Sequence, residues 1–217
     1  MNYFKYKLFA IIFNFFRIFN VNKNRVSFIM PHSANFQGNI KHVYDELNSR
    51  GNFKFNFISY SDKQSTLIQK IISFIKTFTI NIFYLASSKF IFLNDNFLPM
   101  AFMNINPKTL VVQLWHGAGA FKKFGLSSQN NSDLIYLEEK ISHKLDLIPV
   151  SSKNIAKFYQ EAFGVSQDKV LPLGVPRTDF YFNESLAVEN IKNKFLEKYP
   201  EAKSKKIVLY APTFREN

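Results

Sequence analysis

The residues best suited to chemistry lie together in Val111-Val112-Gln113-Leu114-Trp115-His116-Gly117-Ala118-Gly119-Ala120-Phe121-Lys122-Lys123-Phe124-Gly125. A continuous apolar run ends abruptly in Trp-His-Gly, and a turn of small residues, two lysines and another glycine follow. A buried strand that ends this way delivers one titratable side chain to its carboxyl edge. In open parallel α/β sheets that edge is where ligands bind. Small residues let backbone N–H groups approach a ligand, and lysines supply positive charge beside it. The combination reads as a site for a phosphorylated substrate with His116 at its centre.

Other chemistries are poorly supplied. The chain has no cysteine, so disulfides and thiolate metal sites are excluded. Its four histidines, His32, His42, His116 and His143, show no HxxH or HExxH spacing, and no metal site is expected. His32 follows the first strand and reads as a loop histidine; His42 and His143 fall on expected helices as surface residues. Net charge is +12, which favours an anionic partner. The cations are spread along the chain without a basic tail, an RNP-type motif or a helix-turn-helix, so nucleic acid ranks behind phosphorylated metabolites and acidic membrane surfaces. No Gly-x-Gly-x-x-Gly follows the first strand, which disfavours a dinucleotide-dependent oxidoreductase.

The elements that must position His116 follow from periodicity. Strands are expected at Arg25–Met30, Lys54–Tyr60, Lys89–Leu93, Thr109–Trp115, Asp146–Val150, Val170–Val175 and Lys206–Ala211. Helices are expected at Asn39–Ser49, Gln64–Ala86, Asn154–Phe163 and Ser185–Tyr199, with Gly51 closing the first and Ser151-Ser152 capping the third. This alternation predicts an α/β fold with a Rossmann-like parallel sheet covered by helices on both faces. Asn94-Asp95-Asn96 reads as a turn.

At the N-terminus, Phe4, Leu8, Ile11, Ile12, Phe15, Phe16 and Phe19 form a helical stripe interrupted by Lys5, Lys7, Asn14 and Arg17. Two readings are open: a basic amphipathic helix on an anionic bilayer, or a helix packed on the body of the protein. No run of 18 or more apolar residues exists, so no spanning helix is expected, and no small-residue cleavage site marks a signal peptide. The expected organisation is a basic amphipathic N-terminal helix (1–24), a Rossmann-like domain (25–171), a hinge (172–204) and the opening strand of a second domain (205–217). The chain is therefore read as truncated before most of that second domain.

Three spaced motifs coincide: Leu114-Trp115-His116-Gly117 with Lys122-Lys123-Phe124-Gly125, Leu173-Gly174-Val175-Pro176-Arg177-Thr178-Asp179, and Leu209-Tyr210-Ala211-Pro212-Thr213-Phe214-Arg215-Glu216. Together they resemble the CDP-glycerol glycerophosphotransferase family of teichoic acid and capsule synthesis. Phe36-Gln37-Gly38-Asn39, followed by Val43-Tyr44-Asp45-Glu46-Leu47, is similar to that family's first loop and helix. The resemblance implies that this chain is the N-terminal, acceptor-side half of a GT-B architecture. It also implies transfer of glycerol phosphate from CDP-glycerol to a hydroxyl of a lipid-linked glycerol-phosphate or glycan acceptor, with CMP released. The expected place is the cytoplasmic face of the membrane, as a peripheral protein, with CDP-glycerol as donor substrate and no cofactor.

By the same resemblance His116 is the general base. An alcohol attacking phosphorus must lose a proton, and a histidine titrates near neutrality. Gly117, Ala118, Gly119 and Ala120 offer backbone donors, and Lys122 and Lys123 positive charge. Arg177 clamps phosphate oxygens. Pro212 and Thr213 match the donor-site loop of the second domain, and Arg215 lies in the same motif. The loop Ala118-Gly119-Ala120-Phe121 is one residue longer than the family's best-known Thr-Pro-Leu. Two alternative functions stand beside this one: a GT-B glycosyltransferase using a nucleotide sugar, and an inactive fragment that docks on a membrane.

Overall fold

A computed structural model describes residues 3–31, 36–59, 76–182 and 186–211. The chain divides into two compact units, Met1–Thr178 and Asp179–Asn217.

The first unit is built on a parallel sheet. Strands β1 (Asn22–Met30), β2 (Lys54–Ser59), β3 (Ser88–Leu93) and β4 (Leu110–Gln113) pair in the order β2-β1-β3-β4. Val112 forms a parallel bridge to Leu147, which carries the sheet on toward β5 (Ile148–Pro149) and its partner β6 (Val170–Leu171). Strand order reverses between β1 and β3. All described strand pairs are parallel, so the strands' carboxyl ends gather on one edge.

Side chains alternate along the strands with period two. Val26, Phe28 and Met30 of β1, with Val112 and Leu114, face helix α2 (Gly38–Arg50) and its buried Ile40. Ile29, Ile91, Leu93 and Val111 face the opposite layer. That layer comprises α1 (Phe4–Phe16), α3 (Ile82–Ala86, entered through a π-helical turn at Thr77–Asn81), α4 (Ser132–Ser142) and α5 (Lys153–Phe163). Both faces of the sheet are covered, which is why its strands read as nearly continuous apolar runs.

The N-terminal helix differs from its expected orientation. Phe9, Ala10 and Phe13 are buried, and Phe9 packs edge-on to Phe97 at 5.3 Å. Asn14 Nδ2 donates to the Phe102 carbonyl, and Asn14 Oδ1 accepts the Asn104 N–H. Burying Phe9 and Phe13 contributes about 1.5–3 kcal/mol each. Phe4, Leu8, Ile11 and Phe15, which the stripe assigned to one apolar face, stay exposed. The helix is apolar on two sides, and periodicity does not say which side meets the core.

Other differences concern strand ends. β4 stops at Gln113 rather than Trp115, and β6 spans only Val170–Leu171 of the expected Val170–Val175. In the second unit, helix α6 (Leu186–Lys198) is followed by a 3-10 turn at Pro200–Ala202. Residues 206–211, expected as a strand, form none, and Val208, Leu209 and Tyr210 are exposed. A strand needs a neighbouring edge for its N–H and C=O groups, and the described residues of this unit offer none. Residues 64–75 of the expected Gln64–Ala86 helix, and Tyr60 of the expected Lys54–Tyr60 strand, lie outside the described residues.

Candidate active site

β3 and β4 are adjacent, with Leu93 paired to Gln113. The chain leaves β3 through Asn94-Asp95-Asn96 and leaves β4 through Leu114, Trp115 and His116, so the two exits lie side by side. Trp115 takes a left-handed backbone conformation, φ +55°. For a bulky residue this costs about 1–3 kcal/mol and persists only when its surroundings impose it. Here they do. The Trp115 N–H donates to Gln113 Oε1 at 3.1 Å, and its carbonyl accepts from Asn39 Nδ2 at 2.7 Å. The indole stacks on Phe124 with ring centroids 5.1 Å apart and meets Phe163 edge-on at 5.3 Å.

The reversal at Trp115 turns His116 toward the β3 exit. His116 Nδ1 lies 2.7 Å from Asp95 Oδ1. The imidazole is 55% exposed, whereas the Asp95 side chain is only 13% exposed. A carboxylate can only accept, so Nδ1 carries a proton, and in the neutral ring Nε2 is then the bare, basic nitrogen. Asp95 is itself fixed from below: its carbonyl accepts from Nε2 of the fully buried Gln113 at 3.4 Å. The next residue, Asn96, donates through Nδ2 to Glu138 Oε1 of α4 at 3.0 Å.

The small-residue loop is anchored by Tyr159 of α5, whose hydroxyl donates to the Gly117 carbonyl at 2.9 Å and the Gly119 carbonyl at 3.4 Å. Burial pushes the Tyr159 phenol above its ordinary range, and the nearby Arg177 charge opposes that shift, so the hydroxyl is a neutral donor at physiological pH. Among the described residues, the N–H groups of Gly117, Ala118, Gly119 and Ala120 donate to no other group. Lys122 and Lys123 are exposed and line a groove of about 260 Å³ with Ala120, Phe121, Phe158 and Glu161. Arg177 follows Pro176 in a 3-10 turn, its side chain exposed and its backbone N–H donated to Asn39 Oδ1 at 3.1 Å.

His116, the 117–120 loop and Arg177 thus share one region of the first unit, joined by Asn39 and Tyr159. Lys122 and Lys123 flank it on the groove. Pro212, Thr213 and Arg215, like His32, lie outside the described residues. Among the described residues no cluster of three or more His, Asp or Glu could hold a metal ion. Sequence reasoning missed Asp95, read only as a turn residue; its place just beyond an apolar run was the available signal. Asn39 stood in a recognised motif without a role. Tyr159 carried no local signal.

The sequence model of the CDP-Glycerol:Poly(glycerophosphate) glycerophosphotransferase family matches residues 11–217. The chain belongs to this family. Among curated relatives of the glycerophosphotransferase family, a teichoic acid poly(ribitol-phosphate) polymerase of Bacillus spizizenii is 36% identical over 97% of this chain and 33% of its own length. The ribitol-phosphate polymerase TarK of Staphylococcus aureus is 32% identical over 97% of this chain and 40% of its own. A teichoic acid glycerol-phosphate primase of Bacillus spizizenii is 36% identical over 63% of this chain and 36% of its own. The chain spans well under half the length of these relatives. The wall teichoic acid polymerase TagF shares the fold: TM-score 0.68 at 15% identity, over 98% of this chain and 53% of the solved TagF chain. A TagF variant soaked with CDPG gives TM-score 0.72 at 15% identity, over 98% and 53%. The parallel α/β fold of this family member therefore matches about half of the GT-B-like fold of TagF.

Proposed function

We propose that this glycerophosphotransferase-family chain serves transfer of glycerol phosphate from CDP-glycerol to a hydroxyl of a lipid-linked acceptor, in teichoic acid or capsule-like polymer synthesis. The observation that carries the reading is the His116 imidazole, braced by Asp95, with the backbone N–H groups of 117–120, which donate to no other group among the described residues, and Arg177 in the same region of the first unit. The acceptor hydroxyl gives its proton to His116 Nε2 as its oxygen bonds to the glycerol-bearing phosphorus. The bond from that phosphorus to the bridging oxygen breaks, and CMP leaves with the electron pair. Charge builds on the phosphoryl and leaving oxygens, where the 117–120 N–H groups, Lys122, Lys123 and Arg177 offset it. Pro212, Thr213 and Arg215 are assigned to the donor side, with 172–204 as hinge and 205–217 as the start of the nucleotide-binding domain. The family's name and the CDPG-soaked TagF support this donor. The ribitol-phosphate relatives favour the corresponding ribitol transfer as the second reading.

The same proposal sets the protein on an anionic membrane, at its cytoplasmic face. No described helix is long and apolar enough to cross a bilayer. Phe4, Leu8, Ile11 and Phe15 line the side of α1 opposite Phe9 and Phe13, with Lys5 and Lys7 exposed nearby. The chain reaches Asp45 before its first acidic residue, passing Lys5, Lys7, Arg17, Lys23, Arg25 and Lys41. Such a face inserts its apolar side and attracts anionic headgroups, at about 1 kcal/mol per cation near the surface.

The test is CMP release from CDP-glycerol by the purified chain with a lipid-linked acceptor, beside the ribitol donor and UDP-sugars. Turnover of CDP-glycerol that falls about 10²- to 10⁴-fold in His116→Ala supports the reading. Preference for a UDP-sugar replaces it with glycosyl transfer. Vesicle binding without turnover by the wild-type chain leaves only the membrane-docking role.

A further inference from the structure

Asn39 makes contacts that neither the general base nor the phosphate clamp accounts for. It lies in the first turn of α2, only 1% exposed, at the sheet edge where His116 emerges. Its carboxamide is used at both ends. Nδ2 donates to the Trp115 carbonyl at 2.7 Å and, more weakly, to the Leu114 carbonyl at 3.4 Å. Oδ1 accepts the Arg177 N–H at 3.1 Å. The orientation of the amide is forced, because a rotated group would set its oxygen against two carbonyls and its NH₂ against an N–H.

These two partners are the residue immediately before His116 and the backbone of Arg177, 76 and 138 positions along the chain from Asn39. The Gln113 side chain holds the Trp115 N–H from two residues away, but the Trp115 carbonyl is held from across the fold by Asn39, and the Arg177 turn ends the chain segment that leaves β6. One buried amide therefore ties the segment presenting the base to the segment presenting the guanidinium. We infer that Asn39 is a positioning residue that sets the spacing between His116 and Arg177. No near-isostere repeats it: aspartate keeps the acceptor but opposes two carbonyls with a charge, leucine has neither function, and glutamine is one methylene too long.

The inference rests on the proposed phosphotransfer only for the use to which the spacing is put; the spacing itself is measured without turnover. Trp115 is the sole tryptophan, so its emission and its quenching by acrylamide report one end of the amide. Exchange of the Arg177 N–H, followed by NMR, reports the other. In the full chain, Asn39→Leu is expected to expose Trp115 and to speed Arg177 exchange about tenfold. Asn39→Asp is expected to disturb Trp115 while leaving Arg177 protected. A residue needed only for overall stability would not separate the two ends in this way. In turnover of CDP-glycerol, Asn39→Asp should lower kcat about tenfold with KM little changed, and Asn39→Leu should alter both.

Circular dichroism establishes that each variant folds; should Asn39→Leu fail to fold, Asn39→Ser takes its place in both measurements. Wild-type Trp115 emission together with wild-type Arg177 exchange in a folded Asn39→Leu or Asn39→Ser chain overturns the inference. Absence of CDP-glycerol turnover by the wild type counts against the proposed reaction and leaves the two spectroscopic ends to decide on Asn39.

Discussion

Asp95 reaches His116 across the gap between two neighbouring parallel strands, Oδ1 to Nδ1 at 2.7 Å, although 21 positions separate them in the chain. Each residue lies just past its strand's last paired position, Leu93 for one and Gln113 for the other. The contact is a product of register. Had β3 and β4 paired one residue out of step, the two exits would no longer meet, because every side chain along the slipped strand would change face.

Replacing Asp95 by asparagine tests what this contact does. The amide can turn its NH₂ toward Nδ1, which moves the imidazole proton to Nε2 and removes the proposed base. The expected result for Asp95→Asn is a kcat for CMP release lowered about 10²-fold or more, with KM for CDP-glycerol little changed. An unchanged kcat would show that the carboxylate does not set the tautomer.

Gly125 closes the Lys-Lys-Phe-Gly motif with φ +54°. A Cβ built on it would lie 2.2 Å from the Ala162 carbonyl oxygen of α5. Backbone approach is so close that only glycine fits, and this explains the residue without a ligand. Gly125→Ala is expected to cost about 2 kcal/mol or more, from left-handed strain and overpacking together. Urea unfolding followed through Trp115 measures it; a midpoint equal to wild type would contradict the packing described.

Glu138 holds Asn96, the neighbour of Asp95, through Oε1, while Oε2 is buried with no partner among the described residues. Burial raises its pKa above the ordinary glutamate value, and the Asn96 hydrogen bond partly opposes this. Between the unfolded and folded pKa values the native state binds the extra proton, so this group's contribution to stability falls as pH rises through that window. Glu138→Gln keeps an acceptor for Asn96 and carries no charge. Its thermal midpoint should exceed that of wild type at neutral pH, and the difference should shrink as pH falls below the ordinary glutamate range. A difference independent of pH would rule out Glu138 ionisation as the cause.

Much of the frame was legible in the residues themselves. Alternating apolar runs and helical stretches imply a parallel sheet with two covered faces, because burial on both sides demands apolar strands. His116 was legible because an apolar run that ends in His beside small residues has few places to go but a strand's carboxyl edge. The direction of α1 was not: Phe4, Leu8, Ile11 and Phe15 look as apolar as Phe9 and Phe13, and tertiary neighbours such as Phe78 and Phe97 select the buried side. The expected strand at Lys206–Ala211 failed for a related reason, since propensity cannot supply a pairing edge.

By itself, then, the sequence determined most of the local periods, though not where every element ends, and which titratable group stands at a strand's end. The tertiary structure alone decided the partners. Asp95 beneath His116, Asn39 between Trp115 and Arg177, and Tyr159 on the Gly117 carbonyl all join residues at least 21 positions apart. Hydrogen bonds between distant segments depend on strand order and register, and these are set by packing of the whole sheet rather than by any window of residues.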